Sequence, residues 1–172
     1  MRATRLRIVR PIPKSTMNRL PELIDLYLAG PARLRAAIAG MTREQLLARP
    51  IEGRWNTAEV IVHLSDFEPV LAERMKRIVA LDNPSFFGAD ENDFLKHLAY
   101  DARDLEEELR TIELTRSQMA RILRTLPESA LNRQGLRNGE IPTTLEKILV
   151  GTIRHIDSHL PFIAEKRKAM GI

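Results

Sequence analysis

What most constrains this chain is helical periodicity sustained through four long stretches, with no convincing alternating strand pattern between them. The first runs from Asn18 to Ala39, with Leu23, Leu26, Tyr27, Leu34 and Ile38 as its apolar stripe and Asn18 as its cap. Gly30-Pro31 falls inside it. Pro31 cannot donate to the carbonyl of Tyr27, so a kink or short break is expected there. A short helical turn, Thr42 to Leu47, stops before Pro50. The second long helix opens after Asn56, where Glu59 at the third helical position gives an Asn-x-x-Glu capping box and Trp55 and Val60 stand as a hydrophobic staple. Its stripe continues through Leu64, Phe67, Leu71, Met75 and Ile78 to about Leu81, with a kink expected at Pro69.

Asp82-Asn83-Pro84 ends that helix, and a long connection reaches to Tyr100. Phe86, Phe87, Gly88 and Phe94 within it suit a lid over one end of the protein. The third helix is expected from Asp101 to Leu126, closed by Pro127. A polar loop carrying Gly135 and Asn138-Gly139 leads to the fourth helix, where Thr143 and Glu146 read as a second capping box. Leu145, Ile148, Leu149, Thr152, Ile156 and Phe162 mark its buried side, and Pro161 should bend it. Four long helices in one domain give an all-α, four-helix-bundle architecture. The long second connection can run the height of a bundle, so the second and third helices need not be antiparallel. The domain assignment is a basic N-terminal tail over residues 1–17 and a single domain over 18–172.

Composition narrows the chemistry. The chain has no cysteine, so disulfides, thiolate ligands and cysteine nucleophiles are excluded, and any metal must use nitrogen or oxygen ligands. A thiol, if the chemistry uses one, arrives with the substrate. No apolar run approaches the ~20 residues needed to cross a bilayer, and a cytoplasmic location is expected. The basic pI comes from one place: Arg2, Arg5, Arg7, Arg10, Lys14 and Arg19 all precede the first acid, Glu22. Without those six of the 27 basic residues, 21 remain against 23 acids, so the charge argues against nucleic acid as a main partner.

Four histidines are present. His155 and His159 are four residues apart on one helical face, ~40° from each other, and can reach a single point. His63 lies on the inner stripe of the second helix. Together they suggest one metal held by three imidazoles inside the bundle, with an open position that belongs to catalytic rather than closed structural sites. Ordinary core or surface packing of these rings is the competing reading. Asp66, three residues after His63, could orient that ring, serve as a ligand, or simply be solvated. Asp157 sits opposite His155 and is set aside. His97, in the long connection, reads as a surface or lid residue. Arg74 and Arg116 could hold an anionic substrate group, though an ion pair explains each equally simply.

The run Gly53-Arg54-Trp55-Asn56-Thr57-Ala58-Glu59-Val60, then His63-Leu64-Ser65-Asp66-Phe67-Glu68, then His155-x-x-x-His159 far downstream, resembles the DinB/YfiT-like metalloprotein superfamily. This family is unrelated to the DNA polymerase that shares part of its name. The resemblance covers about Leu20 to Lys168. It implies a bundle of up-down-down-up topology and a divalent transition metal, zinc, nickel, iron or manganese, on His63, His155 and His159. It also implies a small-molecule substrate, a homodimer and, by likeness to bacillithiol S-transferases and mycothiol-dependent isomerases, a low-molecular-weight thiol. The first expectation is therefore a metal-dependent enzyme, a thiol-dependent S-transferase or a related hydrolase or isomerase. The alternatives are a non-catalytic metal- or ligand-binding stress-response bundle and a nucleic-acid-associated helical protein using the basic start.

Overall fold

The computed structural model describes residues 19–172; the expected basic tail and the Asn18 cap lie outside the described residues. Four long helices, α1 (Arg19–Ile38), α3 (Thr57–Ala80), α5 (Leu105–Leu123) and α6 (Leu145–Ala169), form the bundle. A short helix α2 (Arg43–Leu47) joins α1 to α3, and another, α4 (Glu91–His97), lies in the connection from α3 to α5. Local chemistry sets several of these ends. Thr42 caps α2 through a capping box with Gln45. Asn56 caps α3: its side chain accepts from the Glu59 amide at 2.8 Å while Glu59 accepts from the Asn56 amide at 2.8 Å.

Each of α1 and α3 packs against both α5 and α6. Two apolar clusters fix the helix directions. One holds Leu20–Tyr27 of α1, Ala72–Ile78 of α3, Met119–Leu123 of α5 and Leu145–Ile153 of α6. The other holds Leu34, Val60–Leu64, Leu109, Ile112, Ile156 and Ile163. The start of α1 thus meets the end of α3, the end of α5 and the start of α6, which is an up-down-down-up order. Ion pairs agree: Arg19–Glu146 and Arg33–Asp157 run in parallel along α1 and α6.

Between the two clusters sits a polar layer. Arg116 of α5 is fully buried and donates to the Tyr27 carbonyl at 2.8 Å, to Glu68 Oε2 at 2.8 Å and to the Thr152 carbonyl at 3.0 Å. Tyr27 Oη donates to Glu68 Oε1 at 2.9 Å. The layer explains why α1 runs unbroken through Pro31, against the break allowed by sequence: the carbonyl that Pro31 leaves free is that of Tyr27, and the guanidinium takes it. Gly30 makes the room, since a Cβ there would clash with Arg116 Nη1. Arg116 is therefore a structural ion-pair residue rather than a substrate clamp. Arg74 donates to the Phe87 carbonyl and lies over the Phe86 ring. The helices also run through Pro69 and Pro161.

Three details depart from the sequence reading. A small sheet exists: β2 (Gln134–Arg137) pairs in parallel with β1 (Ser85–Phe86) and antiparallel with β3 (Ile141–Thr144). The expected polar loop is thus a hairpin, turned at Asn138 and Gly139 with φ of 54° and 76°, the conformation that Asn-Gly adopts most easily. Thr144, not Thr143, caps α6: the Thr144 hydroxyl accepts from the Lys147 amide, whereas the Thr143 hydroxyl donates to the Ile141 carbonyl; Glu146 pairs with Arg19 rather than closing a box. Phe162, expected inside, is 38% exposed.

Candidate metal centre

His63, two turns into α3, is 1% exposed and wedged between Trp55 and Phe67, with ring centroids 5.1 and 4.7 Å away. His155 and His159 project from successive turns of α6. The ring of His63 stands 4.9 Å from each of theirs, and theirs stand 5.1 Å apart. The Nε2 atoms of His63 and His155 approach to 2.9 Å, and the candidate donor atoms of all three rings lie within 4.8 Å of one another. All three expected histidines therefore meet.

Their electrostatics favour the neutral base. Burial, then the His159 ring, pushes His63 down to about 4; burial, then His63, His159 and Arg116, pushes His155 down to about 3. His159 is also lowered, by burial and then by Lys166. Near neutral pH the site presents uncharged imidazoles, the form that binds a metal. The Nδ1 atoms of all three are buried with no hydrogen-bond partner, so the fold leaves their bonding capacity unused. A close-set group of neutral nitrogen donors, bonded to one another only through Nε2 of His63 and His155, fits a divalent transition metal, whose bonds to imidazole are ~2.0–2.1 Å.

Nearby carboxylates are committed elsewhere. Asp66 pairs with Arg103 at 2.8 Å and is neither a ligand nor an orienting group for His63. Glu59 serves the α3 cap and pairs with Arg49. Asp157 pairs with Arg33, and His97 is an exposed residue at the end of α4. Among the described residues no carboxylate joins the three rings, which leaves room for a substrate or water ligand.

The long connection does border the site. Phe94 of α4 packs on Phe67 at 5.2 Å, behind His63, while Phe86 enters the core and Phe87 is 76% exposed. Beside His159 opens a cavity of about 290 Å³ whose walls include Arg54, Trp55, Glu91, Asn92, Phe162 and Lys166. Sequence reasoning missed Lys166 as a site residue. The signal was available, since it follows His159 by seven residues and so returns to the same helical face.

The family model described as the DinB superfamily matches residues 26–163. The chain belongs to the DinB superfamily. A protein of Geobacillus kaustophilus named "Putative metal-dependent hydrolase" is 28% identical over 145 residues, 82% of this chain and 80% of that one. A protein of Geobacillus thermodenitrificans with the same description is 32% identical over 105 residues, 60% of this chain and 58% of its own length. Among solved structures, YfiT from Bacillus subtilis, described as a probable metal-dependent hydrolase with an unusual four-helix bundle topology, superposes with a TM-score of 0.83. That match has 23% identity and covers 94% of this chain and 93% of the other, and it shows a shared fold.

Proposed function

We propose that this DinB-superfamily chain is a metal-dependent hydrolase acting on a small molecule, with His63, His155 and His159 holding one divalent transition metal: zinc, nickel, iron or manganese. The observation that carries the reading is the meeting of three neutral imidazoles from two helices beside a cavity, each with its Nδ1 unpartnered. The names of the Geobacillus relatives support the same reaction class. When bound, such a cation supplies Lewis acidity, which activates a water or thiol and polarises an acyl oxygen. The chain's own contribution is to keep the donors deprotonated by burial, to hold His63 between Trp55 and Phe67, and to give substrate a walled approach past His159. The test is elemental analysis of the purified protein beside His63→Ala and His155→Ala. About one metal per chain, lost in both variants, is expected; a wild type that stays metal-free after reconstitution with these metals overturns the reading.

A thiol-dependent S-transferase is the second reading. The cysteine-free composition favours it to this extent: a reacting thiol would have to come from a low-molecular-weight co-substrate. Turnover of esters and amides without any thiol supports hydrolysis, whereas turnover of an electrophile only with added thiol supports transfer. The reading extends to a homodimer, which sedimentation of the metal-loaded protein checks. No helix among the described residues is long and apolar enough to cross a membrane.

A further inference from the structure

Lys166 is a buried cation that the fold does not neutralise. It is 3% exposed, its ammonium donates to the Phe162 carbonyl at 3.2 Å, and it forms no ion pair among the described residues. Glu165 and Glu59 act on it electrostatically, as does Arg54, but neither carboxylate is within ion-pair distance. An ammonium taken from water without a counter-ion is costly, and burial accordingly lowers its proton affinity.

Complementing the negative end of α6 does not account for it. Lys168, exposed in the same last turn, can serve that purpose in water, and Arg167 binds the carbonyls of Ala37 and Ala39. Lys166 instead turns inward and lines the cavity beside His159. Helical side chains lean toward the N-terminus, so Lys166 reaches back toward His159 and is the chief charged neighbour acting on that ring. At the cavity mouth Arg54 lies over the Phe162 ring at 6.0 Å, a second cation with a planar fork suited to a carboxylate. Glu91 and Glu165 also border the cavity, but both are exposed.

The geometry points to a carboxylate subsite: Lys166, assisted by Arg54, anchors the negatively charged end of a small-molecule substrate whose reacting group lies at His63, His155 and His159. This rests on the metal-hydrolase reading for the reacting end, and it adds the substrate class. Seven residues separate Lys166 from His159, ~10 Å along the helix axis before side chains close the gap. The preferred substrate is therefore an acyl compound carrying a carboxylate a few atoms from the scissile bond.

Trp55 provides a readout that needs no turnover, because it is the single tryptophan of the chain, lines the cavity and packs on His63. The experiment titrates Trp55 fluorescence of the metal-analysed protein with glutarate, with its neutral dimethyl ester and with inorganic phosphate. Glutarate should bind tighter than the diester by about tenfold or more, as a charge-assisted hydrogen bond predicts. Lys166→Met should erase that preference with metal content retained, Lys166→Arg should keep part of it, and Arg54→Gln should weaken it by less, about threefold, as for an exposed charge. Equal responses to glutarate and diester in the wild type overturn the subsite whether or not the variants fold. Tighter binding of phosphate than of glutarate overturns the carboxylate assignment. Metal present without glutarate preference sinks the subsite alone; glutarate preference in protein that takes no metal sinks the metal reading alone.

Discussion

Two polar groupings lie inside the same bundle, both drawing on α3 and α6, and they treat their hydrogen bonds in opposite ways. In the layer of Tyr27, Glu68, Arg116 and Thr152, both carboxylate oxygens, the phenol and two guanidinium nitrogens are spent on one another or on backbone, leaving Arg116 Nε as the unpaired atom. In the cluster of His63, His155 and His159, three buried Nδ1 atoms have no partner and the one internal contact sets two Nε2 atoms face to face. A satisfied polar layer specifies how helices meet; an unsatisfied one advertises a missing ligand. The difference is testable because it predicts which grouping holds the fold and which holds a metal.

The largest effect should come from the satisfied layer. Arg116→Met leaves Glu68 buried without its counter-charge and returns the Tyr27 carbonyl, orphaned by Pro31, to an empty site. A loss of about 3–5 kcal/mol in unfolding free energy is expected. Chemical denaturation measures it, and metal content of the fraction that remains folded should be unchanged. A variant as stable as the wild type would show that the layer is incidental to packing. A variant that stays folded but loses its metal would merge the two groupings into one.

The histidine cluster should behave in the reverse way. His155→Ala removes a ring whose Nδ1 is unpartnered and whose Nε2 meets only His63, so the metal-free variant should lose far less stability than Arg116→Met does. Only the metal-loaded wild type should gain: at a free metal concentration one hundred times the dissociation constant, about 2.7 kcal/mol. Melting each protein with and without a chelator checks this. A chelator effect of equal size in both would place the metal somewhere other than these rings.

How much of this was readable from sequence follows from what is local. Helix number and order, the Asn56–Glu59 cap and the three histidines all declare themselves within a few residues, through spacing and capping chemistry. Pro31 did not, because the donor that rescues the Tyr27 carbonyl lies on α5 at Arg116, and nothing near Pro31 announces it. The hairpin was hidden by its strands of four residues each, one holding Pro142, too short to show alternation. Thr143 and Thr144 are chemically equal candidates for the α6 cap, both are paired in the sheet, and only the point at which strand gives way to helix, after Thr144, separates them. Lys166 was masked by its position among Lys and Arg of a final turn, where cations usually answer the helix dipole.

Acid should act on the metal-free cluster in a graded way. His63 and His155 have folded values of about 4 and about 3, below the ordinary 6.5, because burial disfavours their charged forms. As pH falls below 6.5 the unfolded chain takes up protons that the folded chain refuses, so stability declines from there until pH reaches the folded values. Urea denaturation in the presence of a chelator should show this slope. His63→Gln with His155→Gln should flatten it, and the difference between the two curves isolates the imidazoles from the carboxylates. An unchanged slope would mean that both rings are accessible enough to protonate in place.

The smallest effect sharpens the comparison from outside both groupings. Asn56 starts the helix that carries His63 on its second turn and Glu68 on its fourth, yet it touches neither. Asn56→Ala removes the acceptor for the Glu59 amide and should cost about 1 kcal/mol, the usual value of an N-cap. If capping only sets the helix end, the loss appears in denaturation while metal content and glutarate binding stay at wild-type levels. Should metal affinity fall together with stability, the first turns of α3 are less firmly held by Trp55, Phe67 and the core than their burial indicates. The donors would then be placed by the cap as much as by the packing around His63.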